Sequence, residues 1–438
     1  MNTTRRNVLL STLCGAGYLG LRAVATGLPV SLLLDPRRAL ADPPCPAAAN
    51  PQFVILSTSS AGDPLNANAP GTYEDARIYH CPVAGMEAAS VTLGGQAYQA
   101  ATPWSLLPGD RTSVWHVMTD TPVHPKEPEV LGLNGALEPA EMFPSFLAKN
   151  LAPCLGTLQP QPITLGATSP SEGLTYAGAA LPIIPPLALA ATLTAAPTAL
   201  GKLASLRAQT LDQLNSVYLK GASPAQKAFI EALVTSEAQV KNIGQSLLAN
   251  LSSIKDNTAD SQIIAAVTLI QMKVAPVIAI HLPFGGDNHH DAGLATEGAE
   301  TIAGMSTLAA LLANLQSAGL ADAVSIVSLN VFGRTLGPAS ADGRQHNQNH
   351  QVSFAIGKPF RGGVYGGVGE MDDVTGVDFG ALAMDSSTGK GVTSGGDISA
   401  GDTLTSFART VATAVGIDPG VVASQIVTGK VVAAALAS

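Results

Sequence analysis

The chain has 438 residues, of which 46% are hydrophobic, 13% charged and 4% aromatic, and its formal net charge is −9. That length and apolar content suit a large buried core, and an acidic chain without a Lys/Arg cluster excludes the electrostatic footprint of a nucleic-acid-binding protein. Beyond the first 41 residues no run of about 20 apolar residues free of Gly, Pro or charge occurs, so no stable membrane span is expected in the mature chain.

The N-terminus reads as an address. "TTRRNVLLSTLCGAGYLGLRAV" sets an arginine pair before a moderately apolar stretch, and "RRALA" closes on the small-x-small site Ala39-Leu40-Ala41. This predicts a twin-arginine signal peptide over residues 1–41, a passage through the twin-arginine translocon, and a periplasmic or secreted destination. The segment holds five arginines and one aspartate, so removing its +4 from −9 leaves −13. Three cysteines follow, Cys45, Cys81 and Cys154. An oxidising compartment permits one disulfide among them, the sequence does not choose the pair, and none is spaced as a zinc site.

A Pro/Ala linker over residues 42–51 precedes "QFVILST" (52–58), a short β-branched apolar run that predicts a buried strand. The Gly/Pro/Asn-rich "SSAGDPLNANAP" follows it. "SVWHVMT" (113–119) predicts a second strand and leads into "DTPVHPKEP". Residues 155–200, rich in Pro, Ala and Thr, read as a loop or cap insertion. From Ser223, with Pro224 in the first turn and Gln226 completing a capping box, a helix runs on through Phe229, Leu233, Ile243, Leu247 and Leu251. "VAPVIAIHL" (274–282) predicts a third strand, followed by "GGDNHHDAG". Residues 296–318 predict a helix with Met305, Leu308, Leu312 and Leu315 on one face and Gly319 as its stop. "AVSIVSLNVF" (323–332) predicts a fourth strand, followed by "GRTLGPASADGRQHNQNHQ". "VSFAIG" and "GGVYGG" predict further strands, and residues 401–416 a late helix.

Buried strands alternating with helices imply an α/β fold, a mostly parallel sheet sandwiched by helices. In such sheets ligands gather beyond the carboxyl ends of the strands. Each polar cluster above directly follows a strand, so parallel strands would bring the clusters to one rim. Six of the eight histidines (His116, His124, His289, His290, His346 and His350) lie in or just after strands. Asp287 and His289, two residues apart, can reach one ion from a tight loop. His346 and His350, four apart, share a face if that segment is helical, and can still meet if it is a loop. Two histidines with one or two aspartates suit zinc, or manganese or iron, and an open position would make a Lewis acid. The competing reading of "DNHHD" is a helix cap, and of "HNQNH" a polar surface loop. Arg334 at the fourth strand's exit suits either a bidentate anion clamp or a structural pair with a carboxylate. Ser57, Thr58, Ser59 and Ser60 offer hydroxyls at the first exit, but no GxSxG elbow activates one.

Taken in order, the twin-arginine start, "GDPLNANAP", "GGDNHHD", "VFGRTLGPASADGRQHNQNH" and "FRGGVYGG" resemble a large family of exported bacterial proteins built on a domain of unknown function. That family is related by fold to the alkaline phosphatase and sulfatase superfamily. Its pattern runs G-G-x-D-G-L-N, G-[FW]-D-T-H, S-[DE]-F-G-R-T, a D-H pair and K-G-G-x-[IVY]-G, and the likeness spans about residues 52–420. The resemblance implies an alkaline-phosphatase-like domain over 52–438 with an insertion at about 155–265. It implies a metal set of Asp287, His289 and His346, to which the four-residue spacing adds His350. Arg334, Asp63 and Asn66 match the family's FGRT and first-loop positions, which implies catalytic roles for them, Arg334 as an anion clamp and Asp63 or Asn66 as orienting groups. The implied activity is that of an exported metal-dependent hydrolase of phosphate or sulfate esters. The alternative is a non-catalytic envelope or secreted protein on a decayed scaffold, binding a glycan or a protein partner. The chain departs from the pattern at Gln345, where the family has the aspartate of D-H, at Asn330-Val331, and at Pro64.

Overall fold

The computed structural model describes residues 50–62, 65–138, 141–167, 169, 172–194, 245–284, 286–337, 343–373 and 376–437. The expected signal peptide, most of the linker, Cys45, Asp63 and the Ser223 capping box lie outside the described residues. Seven strands form the central sheet: β1 (Phe53–Ser59), β2 (Thr112–Val117), β3 (Ile163–Thr164), β4 (Val277–Ile280), β5 (Val324–Asn330), β6 (Gln351–Ile356) and β7 (Gly363–Tyr365). Their order is β7-β2-β6-β5-β1-β4-β3. β1 pairs in parallel with β4 and β5, β3 with β4, and β7 with β2, whereas β6 runs antiparallel to both β5 and β2. Six strands therefore point one way, and the carboxyl ends of β1, β2, β4 and β5 share one edge.

Every residue of β1, β2, β4 and β5 is buried, which is why these strands lack the strict apolar/polar alternation of a one-sided strand. The pleat sends successive residues to opposite faces. Ile55, Ile278, Ile326 and Phe354 enter the layer made with α2 (Ala259–Gln271) and α3 (Ala295–Ser317). Val54, Val277, Val327 and Ala355 enter the opposite layer, with α1 (Phe143–Leu155) and α4 (Thr403–Ala414). The architecture is α/β, a mostly parallel sheet flanked by helices, consistent with an alkaline-phosphatase-like fold. Within the segment read as an insertion, Ile163–Thr164 joins the sheet edge and α2 begins at Ala259, so both ends of it belong to the core. No described helix is long and apolar enough to cross a membrane. Cys81 is a buried free thiol, and Cys154 is disulfide-bonded to a partner outside the described residues.

One buried ion pair fixes the loops at the carboxyl edge. Arg344 and Glu297 are each 1% exposed, and the Arg344 Nε donates to Glu297 Oε2 at 2.6 Å. Glu297 also accepts from Arg344 Nη2 (3.1 Å), Asn68 Nδ2 (2.7 Å) and Asn288 Nδ2 (3.0 Å). Arg344 uses its remaining donors on the carbonyls of Thr335 (2.7 Å) and Tyr79 (2.6 Å). The loops after β1, β4 and β5 thus meet on the first turn of α3. Gly343 makes the close approach possible. It holds φ +130°, and a Cβ there would lie 2.1 Å from the Asn288 carbonyl oxygen.

A second buried polar pair lies within the sheet and involves His350, expected as a metal ligand. The structure places His350 apart from His346 because the segment between them is a strand and a turn, not a helix. Asn349 N–H closes that turn on Asn347 Oδ1. The His350 ring meets His116 of β2, with Nε2 2.8 Å from His116 Nδ1, and both residues are fully buried. The tautomers follow from chemistry. His116 Nε2 faces the Pro70 carbonyl at 2.9 Å, so it carries the proton and its Nδ1 accepts from His350 Nε2–H. His350 Nδ1 is then bare and buried, without a hydrogen-bond partner. Burial pushes the His116 imidazole down to about 4, against the opposing Pro70 contact, and burial with the neighbouring ring pushes His350 well down.

Two predictions follow from these pairs. Glu297→Ala strands a buried guanidinium and should lower unfolding free energy by about 3–5 kcal/mol in urea titrations; a loss under about 1 kcal/mol would show that the fork carries no strain of desolvation. For the histidines, the unfolded chain takes up protons near pH 6.5 while folded His116 resists until about 4. Stability is therefore full above pH 6.5 and lost as pH falls toward 4, by up to about 1.4 kcal/mol per pH unit for each such group. His116→Gln should flatten the stability profile across that window; a profile parallel to wild type would contradict the assignment.

Candidate metal centre

At the carboxyl edge, residues from three loops bring their imidazoles together. His124 comes from the loop after β2, His289 from the loop after β4, and His346 from a short antiparallel ladder in which it pairs with Arg334. One ring nitrogen from each lies within 4.8 Å of the others. His289 Nε2 is 2.9 Å from His346 Nε2, which is 3.1 Å from His124 Nε2.

The outer nitrogens explain why the inner ones converge. His346 Nδ1 lies 2.6 Å from the Pro122 carbonyl oxygen, and His124 Nδ1 lies 2.7 Å from that of Ser60. A carbonyl only accepts, so both Nδ1 atoms carry protons and both Nε2 atoms present lone pairs. Two lone pairs facing each other at 3.1 Å have no proton between them. Protonating His346 does not resolve this: burial, with Arg334, His124 and His289 nearby, pushes its ring down to about 4 against the Pro122 contact. A cation between them resolves it, as does an Nε2–H donated by His124 or His289. Backbone carbonyls behind ring-directed lone pairs are the usual support of metal-ligating histidines, and two nitrogens each about 2.0–2.1 Å from a tetrahedral ion lie roughly 3.3 Å apart. The three histidines form a cluster that can hold a metal ion.

Phe332 supplies the floor. It is fully buried, stacks on His346 at 4.1 Å between centroids, and meets the His124 ring edge-on at 5.0 Å. Gly62, at φ +99°, leaves room for it, because a Cβ there would lie 2.9 Å from the Phe332 ring.

The other expected residues take varied places. Asp287 is exposed, with Oδ1 3.6 Å from His289 Nε2 and 3.7 Å from Arg334 Nη1. Partial burial alone would raise its carboxyl, but the His289 backbone N–H and the charges of His289, Arg334 and His124 hold it below the ordinary carboxylate range. Arg334 is 1% exposed, and its Nη2 donates to the carbonyls of Ala61 (2.5 Å) and Gly286 (2.9 Å). The guanidinium therefore lies beneath the cluster, tying the loops after β1 and β4 to the exit of β5, and offers no open face as an anion clamp. Asn66, 1% exposed, donates its amide to the Arg334 carbonyl and so braces the ladder that carries His346. Asp291 accepts from the N–H groups of Thr296 (2.9 Å) and Glu297 (2.8 Å) at the start of α3. The stretch "DNHHD" thus serves both readings, His289 in the cluster and Asp291 as a cap. Gln345 is exposed and pairs only its backbone with Thr335.

His124 and Ser60 complete the arrangement without having been singled out as ligand and support. The available signal for His124 was its position directly after a buried strand. A recess of about 810 Å³, lined by Leu106, Arg111, Leu312, Asp322 and Ile356, opens at the opposite end of the strands and contains none of these groups.

No family model matches the chain, and no curated protein matches its sequence. Among solved structures, one described as "Crystal structure of Ps i-CgsB in complex with k-i-k-neocarrahexaose" is similar over 87% of this chain and 75% of that chain, with 10% identity and a TM-score of 0.35. A likeness of that size carries no statement about activity.

Proposed function

We propose that the protein is an exported metal-dependent hydrolase acting on phosphate or sulfate esters, with a divalent ion, zinc by donor type, held by His124, His289 and His346 and bordered by Asp287. The observation that carries the reading is the pair of facing Nε2 lone pairs on His124 and His346, each set by an Nδ1–H committed to a backbone carbonyl. Three neutral imidazoles suit zinc. Bound there, the ion would supply Lewis acidity toward an ester oxygen or a water.

The chain's own groups do the rest. Phe332 excludes water from one side of the cluster, stacking on His346 and meeting His124 edge-on. Asp287, exposed beside His289, is placed to accept a proton or to complete the ligand set. Arg334 and Asn66 hold the loops in register. The choice of ester follows the family resemblance and the charge of the centre, and it is the part that substrate tests must decide. A second reading, a binding protein that uses the same centre to hold an anionic glycan, is favoured by the burial of Arg334, which leaves no exposed guanidinium for a transferring group.

Purified mature protein should contain one equivalent of zinc by elemental analysis. His289→Ala and His124→Ala should each lose it, and chelation should lower the melting temperature of wild type but not of these variants. On a panel of aryl phosphates and sulfates, His124→Ala should reduce kcat/KM by at least 100-fold. Metal-free wild type that melts identically with and without chelator would overturn the centre. Stoichiometric metal without turnover of any ester in the panel would leave the glycan-binding reading.

A further inference from the structure

The segment that follows the sheet's edge strand contributes a buried carboxylate to this region. Glu172 is 1% exposed. Its Oε1 accepts from Ser60 Oγ–H at 3.0 Å and from Ser60 N–H at 3.4 Å. Ser60 is the residue whose carbonyl receives the His124 Nδ1–H at 2.7 Å. The other carboxylate oxygen, Oε2, lies 3.6 Å from Nδ1 of His281, which also faces the Thr58 carbonyl at 3.1 Å. Glu172 therefore grips the turn leaving β1 on one side and a histidine of the loop after β4 on the other. Resting on the metal-centre reading above, we propose that Glu172 is a positioning residue for that centre, holding Ser60 so that its carbonyl fixes the tautomer and direction of the His124 ring.

Three physical points support the assignment. First, the Ser60 N–H and C=O belong to different peptide groups, so the effect passes through the placement of Ser60 as a residue, which two hydrogen bonds to one oxygen define. Second, the donors facing Glu172 suit a carboxylate, and they outnumber those at its neighbour. Glu127 is fully buried with neither oxygen hydrogen-bonded, and burial together with the charge of Glu172 raises its carboxyl well above the ordinary range. Two charged carboxylates are not both tolerable in such a site, and the hydrogen-bond donors lie at Glu172. Third, a buried carboxylate kept one residue behind a ring-supporting carbonyl matches how outer groups set the orientation of ligating histidines, whose removal typically weakens metal binding 10–100-fold.

The test compares zinc affinity of the full mature chain and its Glu172→Gln variant by competition with a chromophoric chelator, alongside melting of the metal-free forms and cobalt absorption spectra. Expected are at least tenfold weaker zinc binding, a metal-free melting temperature close to wild type, and a cobalt spectrum unchanged at saturation because the three nitrogens still ligate. In the metal-free proteins, long-range ¹H–¹⁵N correlations should show His124 protonated on Nδ1 in wild type and divided between tautomers in the variant. Zinc affinity within twofold of wild type would overturn the proposal while leaving the centre intact. Wild type that binds neither zinc nor cobalt would overturn both. Should Glu172→Gln not fold, Ser60→Ala removes the hydroxyl contact and keeps the carbonyl; a several-fold loss of zinc affinity supports the role, and unchanged affinity refutes it.

Discussion

The fork between Arg344 and Glu297 is the constraint on which the edge of the sheet depends. Two charges removed from water are tolerable only when every donor and acceptor finds a partner. Here Glu297 receives Arg344, Asn68 and Asn288, and Arg344 reaches two further carbonyls. Those partners come from the loops after β1, β4 and β5, long stretches anchored by buried apolar residues such as Leu65, Phe284 and Phe332. Their geometry is set by satisfying one buried ion pair at the foot of α3. Asn288 is adjacent to His289, and Arg344 lies two residues before His346, so the fork also fixes how far apart those two imidazoles sit.

Near the fork, the centre is built from three imidazoles carried by three loops. His124 and His346 are locked through carbonyls, and Phe332 keeps both rings dry on one side. Desolvation alone would make three nitrogen lone pairs costly to bring together. Their convergence therefore has to be offset by rigid loops, and the buried Arg334, donating to Ala61 and Gly286, is part of that rigidity. The same burial that makes Arg334 a good tie removes it from contact with a ligand. An arginine at a strand exit reads identically in sequence whether it binds a substrate or a backbone, because both offer oxygens.

The strands were legible because burial on both faces leaves a local trace, and α3 because its buried Met305, Leu308 and Leu315 recur at helical spacing. Val54 to Ser57 and Val324 to Ser328 are apolar or small throughout, and their parallel pairing follows from the helices between them. Asp287, His289 and His346 were legible as neighbours from the rule that loops at the carboxyl ends converge. What failed to show was anything that required knowing a local path. The four-residue interval of His346 and His350 implied a shared face, but a turn at Asn347–Asn349 sends His350 into the sheet against His116. Glu172 left no trace at all, since its partners, Ser60 and His281, are far away in the chain and its own surroundings resemble a loop. The segment holding it contributes an edge strand, Ile163–Thr164, which a composition rich in Pro, Ala and Thr conceals.

The absent acid at position 345 bears on what the centre can bind. Gln345 is exposed and meets its neighbours through its backbone, whereas His346, the next residue and the first of its ladder strand, turns toward the cluster. Gln345 precedes that ladder with its side chain exposed, so the amide at 345 withdraws nothing from the three imidazoles. It does withhold a negative charge from the surroundings. Among the described residues, the carboxylate beside the cluster is that of Asp287, and the cation beneath it is Arg334. These two roughly cancel. A dication held by neutral imidazoles then keeps most of its charge, where a carboxylate-rich ligand set would neutralise it. A site of that kind attracts anions more strongly than neutral esters, and the attraction is greatest where Phe332 keeps water away.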